Sequence, residues 1–266
     1  MCNLLKLSLP IFLLVFPVKR ERVMSILEGN CEKWQKLNHP HVLSYLGFLD
    51  PSKLQVFQNN RHSFYFTCMV LPWMEFDTIL HFVRNAVQIS TPTPNEYNTA
   101  ILQWSYEIAQ GLAYLHRQEI IHGDLRCNNI RIDDHGRVQI ADYGLAELSE
   151  AWSGSHRMRW MAPEFRQYTN SESGLESQPG DIYAFAMTLV ELYTQLAPFP
   201  KYVSSLPPTS EPRPRFLLYQ TELEMPVELW NLIQKCWVHE PTNRPVASKV
   251  ELQLKELQHS HHFISV

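Results

Sequence analysis

Glycine is scarce and late: the chain has nine in 266 residues, and none precedes Gly29. Without glycine, backbone amides cannot approach a phosphate closely, so residues 1–18 hold no glycine-rich phosphate loop. Cysteine is also sparse. The five, at positions 2, 31, 68, 127 and 236, are odd in number and form no C-x-x-C pair, which suggests neither a disulfide framework nor a zinc site. Basic residues number 23 against 27 acidic ones, with no dense Lys/Arg run, and nucleic acid is therefore not the expected partner. No N-x-S/T sequon occurs.

Long apolar runs are missing as well. The strongest, LSLPIFLLVFP at residues 7–17, is too short to span a bilayer. Its length suits a signal-peptide core, but its two prolines and the lack of an A-x-A-like cleavage site weigh against a signal or anchor. Short runs rich in Leu, Ile, Phe and Val also arise from buried strands. The expectation is one or two strands in a cytoplasmic protein with no membrane partner.

What the sequence does contain changes character along its length. Val23, Leu27, Cys31, Trp34 and Leu37 recur at three- and four-residue steps, predicting an amphipathic helix stopped by Pro40. Residues 42–48 and 64–71 read as strands, the second apolar enough to be buried on both faces. From residue 97 helices take over, with Ile101, Trp104, Ile108, Leu112 and Leu115 on one face. Residues 182–193 are apolar nearly all round, as in a buried central helix. A small sheet with one helix followed by a larger helical part is an α+β arrangement.

Between these parts lies HGDLRCNNIRIDDHGRVQIADYG, residues 122–144. Ile130/Ile132 and Val138/Ile140 alternate on either side of DDHG, predicting a hairpin that carries Asp124, Asn129 and Asp142 toward one place. One carboxylate there can orient an attacking hydroxyl while an amide oxygen and a second carboxylate hold Mg²⁺ on phosphates. Asp and Asn also cap turns, which is the ordinary use of any one of them alone.

The ordered series of stretches weighs against that use. HGDLRCNN resembles the H-R-D-L-x-x-x-N catalytic loop of eukaryotic protein kinases, DYG their D-F-G, and RWMAPE (159–164) their A-P-E segment. GDIYAFAMTLVELYT resembles their central helix. CWVHEPTNRP (236–245) is similar to the late C-W-x-x-x-P-x-x-R-P signature of the tyrosine-kinase and tyrosine-kinase-like branches. The resemblance runs from residue 22 to 258. It implies a two-lobed kinase-like fold: a small, β-rich, incomplete N-terminal lobe over 1–74, a mainly helical C-terminal lobe over 75–258, and a tail over 259–266.

It also implies roles. Asp124 is the expected catalytic base, Arg126 a contact to the transferred phosphate, Asn129 and Asp142 the magnesium ligands, and ATP the nucleotide. Leu71 falls at the gatekeeper and Pro72, Trp73 and Met74 in the adenine-binding hinge. Glu164 and Arg244 are expected to pair, and Asp181 to brace the catalytic loop. A protein carrying a Ser/Thr or Tyr hydroxyl is the implied substrate, with Arg126 and RWMAPE leaning toward tyrosine.

The departures concern phosphate handling. The sole counterpart of the V-A-I-K lysine is Lys19, close to the helix, and a lobe shortened at its start is one explanation. The glutamate expected to pair with that lysine falls at Asn30. Glu28 and Glu32 lie two residues to either side, rotated about 200° round the helix. Gly123 replaces the arginine that receives an activation-segment phosphate, so phosphate-dependent ordering is expected to be weak, and the hydroxyls near it are Ser149, Ser153, Ser155 and Tyr143. Two alternatives follow: a pseudokinase acting as a binding scaffold, and, from the HGD sequence, a small-molecule kinase of the aminoglycoside phosphotransferase type. The proline-rich stretch 204–215 is expected to form a surface loop.

Overall fold

The computed structural model describes residues 3–6, 11–15, 29–49, 68–74, 76–90, 92–145, 158–165, 177–199, 215–218 and 221–262. The chain begins in a four-stranded antiparallel sheet: β1 (Asn3–Lys6), β2 (Ile11–Val15), β3 (Gly47–Leu49) and β4 (Cys68–Pro72), in the order β1-β2-β4-β3. The apolar run at 7–17 thus supplies β2. Helical residues 29–35 (α1) fall within the predicted amphipathic helix, and Trp34 and Leu37 are its buried positions.

The expected strand over 42–48 is mostly not one. Leu43 N donates to Ile140 O (2.8 Å) and Ile140 N to His41 O (3.0 Å), so residues 41–43 are bound to the second part of the chain, and sheet pairing starts only at Leu46 and Gly47. Strand β4 differs too. Met69 and Leu71 are buried while Val70 and Pro72 are half-buried, a period-two pattern with one face inward.

Trp73 and Met74 lead from β4 into β5 (Phe76–Thr78), which pairs with β6 (Ile130–Ile132), itself paired with β7 (Val138–Ile140). The predicted hairpin is therefore present, and Ile130, Ile132, Val138 and Ile140 are fully buried. Helix α2 (Ile79–Ser90) was not foreseen, although Ile79, Leu80, Val83 and Val87 mark its inner face. Helix α3 (Pro94–Arg117) starts at a capping box: Thr93 Oγ1 accepts from Glu96 N, and the Glu96 carboxylate accepts from Thr93 N (2.7 Å). Ile101, Ile108, Leu112 and Leu115 form its buried stripe.

Helix α4 (Gln178–Thr194) is the axis of the helical part. Every residue from Gly180 to Tyr193 is buried, as an all-round apolar sequence requires. The hairpin β8 (Arg215–Leu218) and β9 (Thr221–Glu224) precedes α5 (Val227–Cys236) and α6 (Ala247–His262), which packs along α3. The helix α6 continues through 259–262, where a tail was expected. No described helix is long and apolar enough to cross a membrane.

Candidate active site

The loop at 122–129 carries no regular secondary structure before Cys127, so its shape must come from bonds to its neighbours. Asp181, in the first turn of α4, supplies them. Its Oδ2 accepts from His122 N and its Oδ1 from Gly123 N, both at 2.8 Å, and His116 Nε2 lies 2.8 Å from Oδ2. The expected brace is present. His122 is wholly buried, and Asp124 N donates to its Nδ1 (3.2 Å); the proton therefore sits on Nε2, and burial holds the imidazole pKa below its usual range. Gly123 has φ +76°, a left-handed conformation that glycine adopts without strain.

The three chemistry-bearing residues come together. Asn129 Nδ2 donates to Asp124 O (2.7 Å) and Oδ2 (3.2 Å), which fixes the amide and leaves its Oδ1 for another donor. Arg126 Nη2 lies 3.2 Å from the same Asp124 Oδ2. A 3-10 turn, Cys127–Asn129, feeds directly into β6. Across the hairpin, Ala141 N donates to Asn129 O (2.8 Å), placing Asp142 one residue from a bond to the amide-bearing residue.

Asp142 is held in a conformation few non-glycine residues adopt, φ +58°. Burial raises its carboxyl pKa, opposed chiefly by the field of Arg131. A site with this polarity gains from a cation, and its hard oxygen donors, the Asp142 carboxylate and Asn129 Oδ1, suit Mg²⁺. The flanking bonds, Ala141 N to Asn129 O and Gly144 N to His122 O (3.1 Å), tie the D-Y-G segment to the catalytic loop on both sides. Tyr143 is buried, its hydroxyl donating to Leu43 O (2.9 Å) and its ring meeting Trp34 edge-on at 6.1 Å. The hydroxyl is thus not available for modification, contrary to the expectation for Tyr143.

Glu164 and Arg244 pair as expected, in bidentate geometry: Nη1 to Oε1 at 2.7 Å and Nη2 to Oε2 at 2.8 Å. The remaining Arg244 donors reach Val238 O (2.8 Å), Pro179 O (2.9 Å) and His239 O (3.0 Å), and the side chain is 0% exposed. Sequence reasoning missed Glu191. Its Oε2 accepts from Cys127 N and Trp160 Nε1, both at 3.0 Å, joining the catalytic loop to the segment before Pro163, and burial raises its pKa. The signal was available: it is the single acidic residue within the otherwise apolar stretch 182–193, and a buried carboxylate needs donors.

On the nucleotide side, β4 ends at Pro72. Leu71 and Met74 are buried, and Trp73 is half-buried against the core. In kinases the phosphate-pairing lysine lies on a strand. Strand β4 pairs with β2 (Ile11–Val15), where Phe12 stands opposite Leu71, and with β3 (Gly47–Leu49). Neither carries a lysine. Lys19 and Glu28 lie outside the described residues, as do Ser149, Ser153 and Ser155. Asn30 is half-buried and Glu32 exposed on α1. The metal side of the site therefore fits its ligand, whereas the strands paired with β4 offer no phosphate-pairing lysine, Lys6 standing on the outer strand β1.

A loop braced by a helix-borne aspartate, with an aspartate, asparagine and aspartate set around a hairpin, fits a phosphotransferase-type centre. The model of the protein tyrosine and serine/threonine kinase family matches residues 18–254, and the chain belongs to that family. The match includes Glu164 and Arg244, in segments that small-molecule phosphotransferases lack, so that alternative falls away. Among relatives, the serine/threonine/tyrosine-protein kinase HT1 of Arabidopsis thaliana is 32% identical over 169 residues, covering 59% of this chain and 40% of that protein. Tyrosine-protein kinase Mer of Mus musculus is 26% identical over 259 residues, 91% of this chain and 23% of that protein. The mitogen-activated protein kinase kinase kinase YODA of Arabidopsis thaliana is 31% identical over 162 residues, 57% of this chain and 17% of that protein. The chain thus spans well under half the length of each of these relatives.

Proposed function

We propose that this chain is an ATP-dependent protein kinase domain, with residues 1–74 as the nucleotide-side lobe and 75–258 as the catalytic lobe. The observation that carries the reading is the pair of bonds at Asn129: its side-chain amide donates to Asp124, and its backbone carbonyl accepts from Ala141 N, the residue before Asp142. Asp124, buried and steadied by Arg126 and Asn129, accepts the proton of a protein Ser, Thr or Tyr hydroxyl and orients its oxygen. Asn129 and Asp142 are the ligands for Mg²⁺, which, when bound, neutralises charge on the phosphates of ATP. Arg126 places a cation beside the acceptor. Leu71, Pro72, Trp73 and Met74 form the adenine-side wall, where backbone groups make the polar contacts.

The test is phosphate transfer from labelled ATP to a mixed Ser/Thr/Tyr peptide pool, comparing the wild type with Asp124→Asn. Loss of a general base lowers the rate by about 10² to 10⁴-fold. Equal incorporation by both proteins would remove Asp124 from the chemistry. A second reading, a scaffold that does not turn over nucleotide, is favoured by one observation, the lack of a lysine on β2. No transfer by the wild type together with no nucleotide binding would select it.

A further inference from the structure

We propose that Tyr143 is the positioning residue for Asp142, acting through a hydroxyl-to-carbonyl latch on Leu43 that keeps the metal-binding carboxylate in place without help from an activation-segment phosphate. The proposal rests on the reading of Asp142 as a metal ligand.

Three observations converge on the latch. Asp142 has φ +58°, a conformation that in a non-glycine residue persists only when its surroundings impose it. The residue that follows it is anchored through its side chain, Tyr143 Oη to Leu43 O at 2.9 Å, with both residues buried. Leu43 is itself fixed to the strand that leads into Asp142, because Leu43 N donates to Ile140 O (2.8 Å). The hydroxyl therefore closes a ring from β7 through Asp142 and Tyr143 to Leu43 and back to β7. A phenylalanine at this position would fill the same space against Trp34 and leave the ring open.

The latch also connects α1 to the metal motif. Trp34 meets the Tyr143 ring edge-on at 6.1 Å and covers the Cα of Gly144, where an added Cβ would lie 3.0 Å from Trp34 Cζ2. Helix α1 is in turn docked on the helical part through Lys33 Nζ to Glu119 O (3.2 Å), and the chain just beyond it through Asn38 N to Tyr114 Oη (3.0 Å). Gly123 offers no side chain to draw a phosphorylated segment onto the catalytic loop, and the Tyr143 bond supplies the order by a route that needs no modification.

The experiment uses the unliganded chain and Tyr143→Phe. Amide hydrogen exchange is followed in the peptide containing Ala141 and Gly144 and, as a control, in α4. One buried hydrogen bond protects by about tenfold, so exchange in the 141–144 peptide is expected to rise about tenfold in Tyr143→Phe while α4 is unchanged. Unchanged exchange in 141–144, or acceleration spread equally over α4, would overturn the latch. ATP affinity is then measured with and without Mg²⁺. The gain conferred by Mg²⁺ should shrink about tenfold in Tyr143→Phe with metal-free affinity preserved, and an undiminished gain would overturn the positioning role. A wild type that shows no Mg²⁺-dependent binding would instead overturn the reading of Asp142 as a ligand, an outcome the exchange data keep separate from the latch itself.

Discussion

Every N–H of Arg244 has an acceptor: two are carboxylate oxygens of Glu164 and three are the carbonyls of Val238, Pro179 and His239. The guanidinium also lies over the Tyr183 ring, 5.3 Å from its centroid. Removing Glu164 strands a buried cation, and removing Arg244 strands three carbonyls and a carboxylate. Glu164→Ala and Arg244→Ala should each cost about 3 to 5 kcal/mol, read by urea unfolding; wild-type stability in both would contradict a structural role for the pair. His39 gives a pH-dependent counterpart. It stacks on Tyr114 at 4.8 Å, and burial, then the fields of His41 and Arg117, lowers its pKa to about 4. The unfolded chain takes up this proton near pH 6.5, about the ordinary histidine value, so the contribution of neutral His39 is complete above that pH and is lost as pH falls toward 4. The melting-temperature gap between wild type and His39→Gln should therefore narrow between pH 7 and 5. A gap that stays constant would show that His39 does not set the slope.

At the scale of elements, periodicity made α1, α3, α4 and the β6–β7 hairpin legible, because each buries one face or all faces in a regular pattern. Helix α2 carried a readable stripe, Ile79, Leu80, Val83 and Val87, but followed the hinge-like LPWM too closely to stand out. Residues 41–43 misled for a different reason. They are apolar like a strand, yet their partner is Ile140, about a hundred positions away, and no local pattern encodes that choice. The site was legible through motif order, whereas Glu191 and the hydroxyl bond of Tyr143 depend on which carbonyls and amides the fold leaves exposed to them. The junction between α1 and the metal motif supplies the element-scale prediction. Gly144 has φ +69° and Trp34 against its Cα, so Gly144→Ala should destabilise by about 1 to 3 kcal/mol through backbone strain alone. A variant as stable as the wild type would contradict the left-handed conformation of Gly144.

At the scale of the molecule, the two halves of the site differ in completeness. The helical part supplies a braced catalytic loop, a shielded carboxylate with a raised pKa and a satisfied amide. The sheet part supplies the proposed hinge at the end of β4 and a paired strand, β2, without lysine. The proposed binding of Mg²⁺·ATP, with Asn129 and Asp142 holding the metal, is tested most directly by thermal unfolding with saturating ATP and Mg²⁺, wild type against Asp142→Asn. Nucleotide at 100 times its dissociation constant adds about 2.7 kcal/mol, a rise of about 5 to 10 °C for a chain of this size. The account predicts that rise in the wild type with Mg²⁺, and its loss in Asp142→Asn without any fall in the ligand-free melting temperature. No shift in the wild type, or an equal shift in both proteins, would contradict it.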